Sequence, residues 1–293
     1  MLSPTLQEAY GTCRAITREE ARNFYYGIRL LPEDKRNVLC AVYALARRID
    51  DIGDGDLRPG EKRDRLAAVR ADLAALPGGH DGGNPVLVAL ADAVVRYAIP
   101  LDAFAELLDG VQMDVEMDEH GRRYATFDDL VSYCRCVAGS VGRLCLGVFG
   151  SRAHPEAAAY ADALGIALQQ TNVLRDIRED LLSGRVYLPQ EDLDAFGVEL
   201  RLDERGALVD DGALSALVRA GCVRAQDWYD EGLRLVPLLD RRSAACCLAM
   251  AGIYRRLTQR IAADPSAVLE ERLSLSGREK VTVAARALAG RAA

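Results

Sequence analysis

No apolar run of about 18 residues occurs anywhere in the chain, so no segment reads as a bilayer-spanning helix. The N-terminus lacks the charged-then-apolar pattern of a secretory signal. The expected location is therefore the cytoplasm, with any membrane contact peripheral and at the inner face. An excess of positive charge is lacking: 37 Lys and Arg stand against 44 Asp and Glu, and the formal net charge of −7 argues against nucleic acid as a partner. Disulfide spacing is missing from the eight cysteines, Cys13, Cys40, Cys134, Cys136, Cys145, Cys222, Cys246 and Cys247. Cys134 and Cys136 form a CxC in an apolar helical stretch, with no second pair at zinc-site spacing, so all eight read as reduced packing residues. Alternating strand runs, solenoid repeats and a domain linker are also absent. The reading is all-α: one helical-bundle domain over residues 1–293, with 273–293 a basic, Ala-rich tail, helical or flexible.

What is present is helical periodicity. Half of the 293 residues are hydrophobic, an ordinary globular balance. Arg outnumbers Lys, which suits phosphate recognition. Expected helices cover Thr5–Ala21, Pro32–Gly53, Glu61–Ala75, Pro85–Tyr97 and Leu101–Glu116. A helix capped by Thr126 runs to about Phe149, and its small residues Ala138, Gly139, Ser140 and Gly142 allow a close neighbour. A long central helix spans Pro155–Leu182, and Ala213–Leu239 and Arg241–Ala263 follow, with Phe196–Gly212 a loop. Roughly eight to ten helices would surround a central cavity.

The central helix carries a polar stripe. At about 100° per residue, Gln169, Asn172, Asp176 and Asp180 fall within an arc of roughly 80°, flanked by apolar neighbours. A buried stripe of that kind is costly unless something satisfies it. Carboxylates at i, i+4 can share a hard cation such as Mg²⁺. A second face repeats the pattern: Tyr43, Arg47, Asp50 and Asp54 lie within about 60° of one another. One such acidic pair is most often a solvated face. Two, each in an otherwise apolar helix with Arg and Tyr nearby, suggest opposed walls that hold a Mg²⁺ cluster and a diphosphate. Arg47, Arg175 and Arg185 could then fork onto phosphate oxygens.

YALARRIDDIGD (Tyr43–Asp54) and QQTNVLRDIREDLLSGRVYLP (Gln169–Pro189), with YCRCVAGSVGRL (Tyr133–Leu144) and FYYGIRLLP (Phe24–Pro32) in the same order, resemble the squalene/phytoene synthase family. The resemblance spans roughly Arg22 to Pro189 and implies an all-α isoprenoid-synthase fold acting on two prenyl diphosphates with Mg²⁺, or Mn²⁺ in its place. It implies Asp50 and Asp54 as the first metal motif and Asn172, Asp176 and Asp180 as the second. Tyr43, Arg47, Gln169, Arg175 and Arg185 match positions contacting diphosphate or substrate. Tyr133, Tyr187 and Tyr254 match tyrosines near the reacting carbons. Phe24 belongs to the early aromatic motif, and Val137, Ala138, Val141 and Gly142 match the prenyl-chain tunnel. Where the family often has serines, this chain has Ala21-Arg22-Asn23, so Arg22 and Asn23 are candidates for that diphosphate contact. Gly53, inside the first motif, is expected to loosen the end of its helix.

The implied chemistry begins with departure of one diphosphate, leaving an allylic cation. The double bond of the second substrate attacks it, and proton loss closes a cyclopropane. Aromatic faces stabilise cations, and an apolar tunnel excludes water. The base is open between Tyr133, Tyr187 and released diphosphate. ARNFYYGIRLLP with RRIDDIGD looks most like bacterial presqualene diphosphate synthases of the hopanoid pathway, so the leading expectation is two farnesyl diphosphates giving presqualene diphosphate without NADPH. The alternatives are phytoene synthase acting on geranylgeranyl diphosphate and squalene synthase using NADPH. The QxxNxxRDxxED arrangement disfavours head-to-tail elongases and terpene cyclases. Two acidic stripes disfavour a non-catalytic scaffold. Expected partners are prenyl diphosphates and, downstream, enzymes that consume the product.

Overall fold

The computed structural model describes residues 3–21, 23–78, 82–210, 212–270 and 272–290. Fifteen α-helices occupy them, and no strand is present among the described residues beyond one isolated bridge, Leu202 to Leu208. They are α1 (Pro4–Glu20), α2 (Tyr25–Ile28), α3 (Glu33–Asp54), α4 (Pro59–Ala75), α5 (Pro85–Arg96), α6 (Leu101–His120), α7 (Phe127–Cys134) and α8 (Ser140–Phe149). After these come α9 (Ala157–Arg175), α10 (Ile177–Leu182), α11 (Gln190–Phe196), α12 (Ala213–Gly232), α13 (Arg241–Ala263), α14 (Ala267–Glu270) and α15 (Gly277–Leu288).

Local chemistry sets many of the boundaries. Thr126 accepts from the Asp129 amide while Asp129 caps Thr126 in return, a capping box that starts α7. The Asp240 side chain accepts from the amides of Arg242 and Ser243 at the head of α13. Pro59 and Pro85 occupy first-turn positions, where the missing N–H costs nothing.

Two expected helices are interrupted, both beside the cavity. The segment from Thr126 to Phe149 contains a π-helical turn, Arg135–Gly139, between α7 and α8. Its extra residue shifts the register so that Val137 reaches the cavity wall. The central helix breaks at Asp176, whose φ of −104° and ψ of 12° end α9 and start α10. Pro237 falls in a 3₁₀ stretch, Leu233–Leu238, that ends the helix expected to reach Leu239.

The bundle wraps α9. It packs against α8, α12 and α13, while α3 packs against α1, α5, α6 and α8. The close approach of α8 to α9 depends on glycine. A Cβ on Gly165 would sit 2.2 Å from the Ala138 carbonyl oxygen, and one on Gly142 would sit 2.3 Å from that of Ala161. Gly53 does not loosen α3. Its carbonyl accepts from the Lys62 ammonium at 2.6 Å, and a Cβ there would meet Val111 at 2.5 Å, so the bare backbone is a packing surface against α6.

The tail is not loose over its described part. α15 begins with a Ser276/Glu279 capping box and buries Val283, Ala284 and Ala287 against α13 and its surroundings. Residues 291–293 of the expected tail lie outside the described residues. All eight cysteines are free thiols, and burial raises the pKa of Cys13, Cys145, Cys222 and Cys247 to about 12, keeping them protonated and inert. Among the described residues, no helix is long and apolar enough to cross a membrane.

Candidate active site

Two cavities meet inside the bundle. One is a charged mouth of about 340 Å³ between α3, α6 and the α9–α10 junction. The other is an apolar tunnel of about 250 Å³ running between α2, α3, α8, α9 and α13. Arg47, Asp50, Val137, Gln169 and Asn172 line both and form the collar that joins them.

The mouth gathers Asp50 and Asp54 from α3, Asn172 from α9, Asp176 at the break and Asp180 from α10, together with Arg47, Arg175, Arg185, Gln169, Tyr133 and Tyr187. The tunnel wall takes Phe24, Tyr43, Val137, Ala138, Val141 and Gly142. Tyr254 is buried and stacks on Phe24, centroids 5.4 Å apart, but lines neither cavity. Asn23 is half-buried and also lines neither; Arg22 lies outside the described residues.

Arginines answer the carboxylates. Arg175 Nε donates to Asp176 Oδ1 at 2.7 Å, and Arg272 reaches across from the segment after α14 to the same oxygen at 2.8 Å. Burial alone would raise the Asp176 pKa, but these hydrogen bonds outweigh it and hold the carboxyl below the ordinary range. Arg185 forks onto Asp118 at 2.7 and 2.9 Å and reaches Asp54 at 3.1 Å. The buried Lys62 ammonium joins the same Asp118 at 3.3 Å. Arg47 pairs with Asp51 at 2.7 Å on its own helix.

Other carboxyls have too little compensation. Burial, then the nearby Asp54, pushes Asp50 up to about 7. Burial, then Asp176, does the same to Asp180. The mouth therefore concentrates more negative charge than its own cations neutralise. The Asn172 carbonyl oxygen is buried without a hydrogen-bond partner, although its amide donates to Gln169 at 3.2 Å. A hard divalent cation fits these donors, which are all oxygen. No three acidic, histidine or cysteine side chains among the described residues converge on one point.

Sequence reasoning missed three contributors. Asp114 on α6 is buried at the mouth and accepts from the hydroxyls of Tyr187 at 2.7 Å and Tyr133 at 3.1 Å. Asp114 and Asp118 repeat the i, i+4 spacing on the stripe of Leu107 and Val111, so the signal was present. Tyr124 lies tilted against Tyr133 and stacked on Tyr187, with centroids 5.4 and 6.4 Å away, and those two stack 5.3 Å apart. Arg272 sits in irregular chain, where no periodicity marks it.

A family model described as squalene/phytoene synthase matches residues 17–279. The chain is 56% identical over 285 residues to a phytoene synthase of Mycobacterium tuberculosis, covering 97% of this chain and 92% of that one. It is 35% identical over 264 residues to a 15-cis-phytoene synthase of Synechococcus elongatus, covering 86% and 83%. A crystal structure of a dehydrosqualene synthase superposes with a TM-score of 0.84 at 27% identity, over 97% of each chain. An all-helical bundle with a charged mouth on an apolar tunnel is the architecture of a head-to-head prenyltransferase of isoprenoid biosynthesis. The chain belongs to the squalene/phytoene synthase family.

These relatives correct the expectation of presqualene diphosphate made from farnesyl diphosphate. The motifs behind that expectation line mainly the charged mouth, whereas the apolar tunnel is bounded largely by other residues, and its depth depends on packing between helices.

Proposed function

We propose that the protein condenses two geranylgeranyl diphosphates head to head to form phytoene. The observation that carries this reading is the 56% identity, over 97% of the chain, to a relative named phytoene synthase. The joined cavities support it: a charged mouth takes the diphosphates, and the apolar tunnel takes prenyl chain. Mg²⁺, held by Asp50, Asp54, Asn172, Asp176 and Asp180, would neutralise diphosphate and improve it as a leaving group. Arg47, Arg175, Arg185 and Arg272 bind its oxygens, and the stacked pair Tyr133 and Tyr187 presents aromatic surface to the developing allylic cation, with Tyr124 packed behind them. Tunnel residues from Phe24 to Gly142 hold the chain straight and keep water from the cation. Two geranylgeranyl units become phytoene by losing two diphosphates and two protons, so no NADPH enters the balance.

Purified protein incubated with Mg²⁺ and geranylgeranyl diphosphate should form phytoene at the same rate with and without NADPH. A product from farnesyl diphosphate alone, or none without NADPH, would overturn the reading.

A further inference from the structure

The head-to-head reaction must shed protons, and the mouth sets two phenols against a buried carboxylate. The tyrosines are poor bases by themselves. Burial, then the neighbouring Asp114, raises both Tyr133 and Tyr187 well above the usual phenol range, so each is neutral at pH 7. A neutral phenol accepts a proton only if its own can leave. Each hydroxyl already donates to Asp114, one to each carboxylate oxygen. With its proton committed there, a phenol can act only as an acceptor toward a group sharing the cavity. Asp114 is 8% exposed, borders the mouth, and has only these two side-chain hydrogen-bond donors among the described residues.

We propose that Asp114 is the terminal acceptor of a tyrosine relay that removes the proton lost when the cyclopropane closes, with Tyr187 as the transmitting group. This rests on the prenyl-condensing reading of the site. Attack of the second double bond on the allylic carbon leaves a tertiary cation. The C–H bond on that former allylic carbon then breaks, and its electron pair forms the third ring bond. The proton passes to the Tyr187 oxygen while the Tyr187 O–H proton moves 2.7 Å to Asp114 Oδ1. The carboxylate becomes a carboxylic acid, the phenol is regenerated, and no other reagent is consumed. Burial, tempered by the Tyr187 hydrogen bond and the Arg185 charge, raises the Asp114 carboxyl to about 6, close to the range of an effective general base. Tyr133 holds the other oxygen and keeps the carboxylate aimed.

The test is Asp114→Asn, which keeps the shape but cannot take the proton. With Mg²⁺ and geranylgeranyl diphosphate, kcat should fall on the order of 10²-fold with KM little changed. Diphosphate release should outrun hydrocarbon formation. Substrate carrying two deuterons on C1 should show a primary isotope effect that the wild type lacks. Combining Asp114→Asn with Tyr187→Phe should cost no more than the larger single loss. In Asp114→Ala, added formate should restore part of the turnover. Circular dichroism identifies folded variants, and Asp114→Ala carries the test if Asp114→Asn does not fold. Wild-type-like turnover overturns the relay, as does parallel loss of diphosphate and hydrocarbon without an isotope effect, or a folded Asp114→Ala that formate does not rescue. An inactive wild type overturns the functional reading itself, and the relay with it.

Discussion

The mouth and the tunnel share five residues and otherwise differ in how they are made. The mouth is electrostatic, and its arrangement depends on side chains brought from distant parts of the chain. Arg185 comes from the turn after α10, Arg272 from the segment before α15, and Asp114 from α6. The tunnel is steric, and its wall depends on how closely helices approach. Gly142 and Gly165 let α8 and α9 meet through backbone, leaving Val137, Val141 and Leu168 to border the space. Charge dominates the mouth, and backbone contact between helices shapes the tunnel.

The sharpest way to break that contrast is to remove charge from the mouth. Asp176→Ala should lower kcat about 10³-fold, the scale of losing one preorganised electrostatic group, while circular dichroism still reports a folded bundle. Near-normal turnover would show that the mouth does not depend on this carboxylate. A second change acts on the tunnel. Gly165→Ala drives a Cβ to 2.2 Å from the Ala138 oxygen and should destabilise the fold by roughly 3 kcal/mol, read from denaturant unfolding. An unchanged midpoint would mean that α8 and α9 separate at little cost.

The smallest effect belongs to a tie at Phe149, one of the tunnel-lining residues. Lys35 on α3 donates to the Phe149 carbonyl, to Asp240 at 2.7 Å and to Ser243 at 3.1 Å, tying α3 and α8 to the start of α13. Asp240→Ala should cost about 1 kcal/mol through the lost cap, measured as a lower thermal midpoint. The Asp240 carboxyl is depressed in the fold: burial would raise it, but Lys35 and Ser243 prevail. A depressed folded pKa gives stability that is present above the unfolded value of about 4 and lost as pH falls through the folded value. The variant's stability should therefore fall less than the wild type's on acidification below about pH 4.

Much of the mouth was legible because its ligands repeat at helical spacing in otherwise apolar helices. Asp50, Asp54, Asn172, Asp176 and Asp180 could all be placed from periodicity. The break at Asp176 could not, because the local sequence remains helical and the distortion occurs where Arg175 and Arg272 grip its side chain. The π-helical turn was hidden for a related reason: Arg135–Gly139 carries no breaker, and Gly139 lies tightly against Asp162 on α9. Arg272 acts over 96 residues of sequence separation, with no pattern to announce it. The order in the tail comes from packing on α13, which residue composition does not encode.

The collar has a consequence for how such an enzyme can be retuned. Arg47, Asp50, Gln169 and Asn172 border the charged mouth and the apolar tunnel at once. Widening the passage there would move candidate metal donors, so appetite and chemistry are inherited together at that point. Toward Phe149, Leu235 and Cys247 the two separate, since these residues border only the tunnel. A new substrate length is cheapest to acquire there, by substitutions that leave the reacting end untouched.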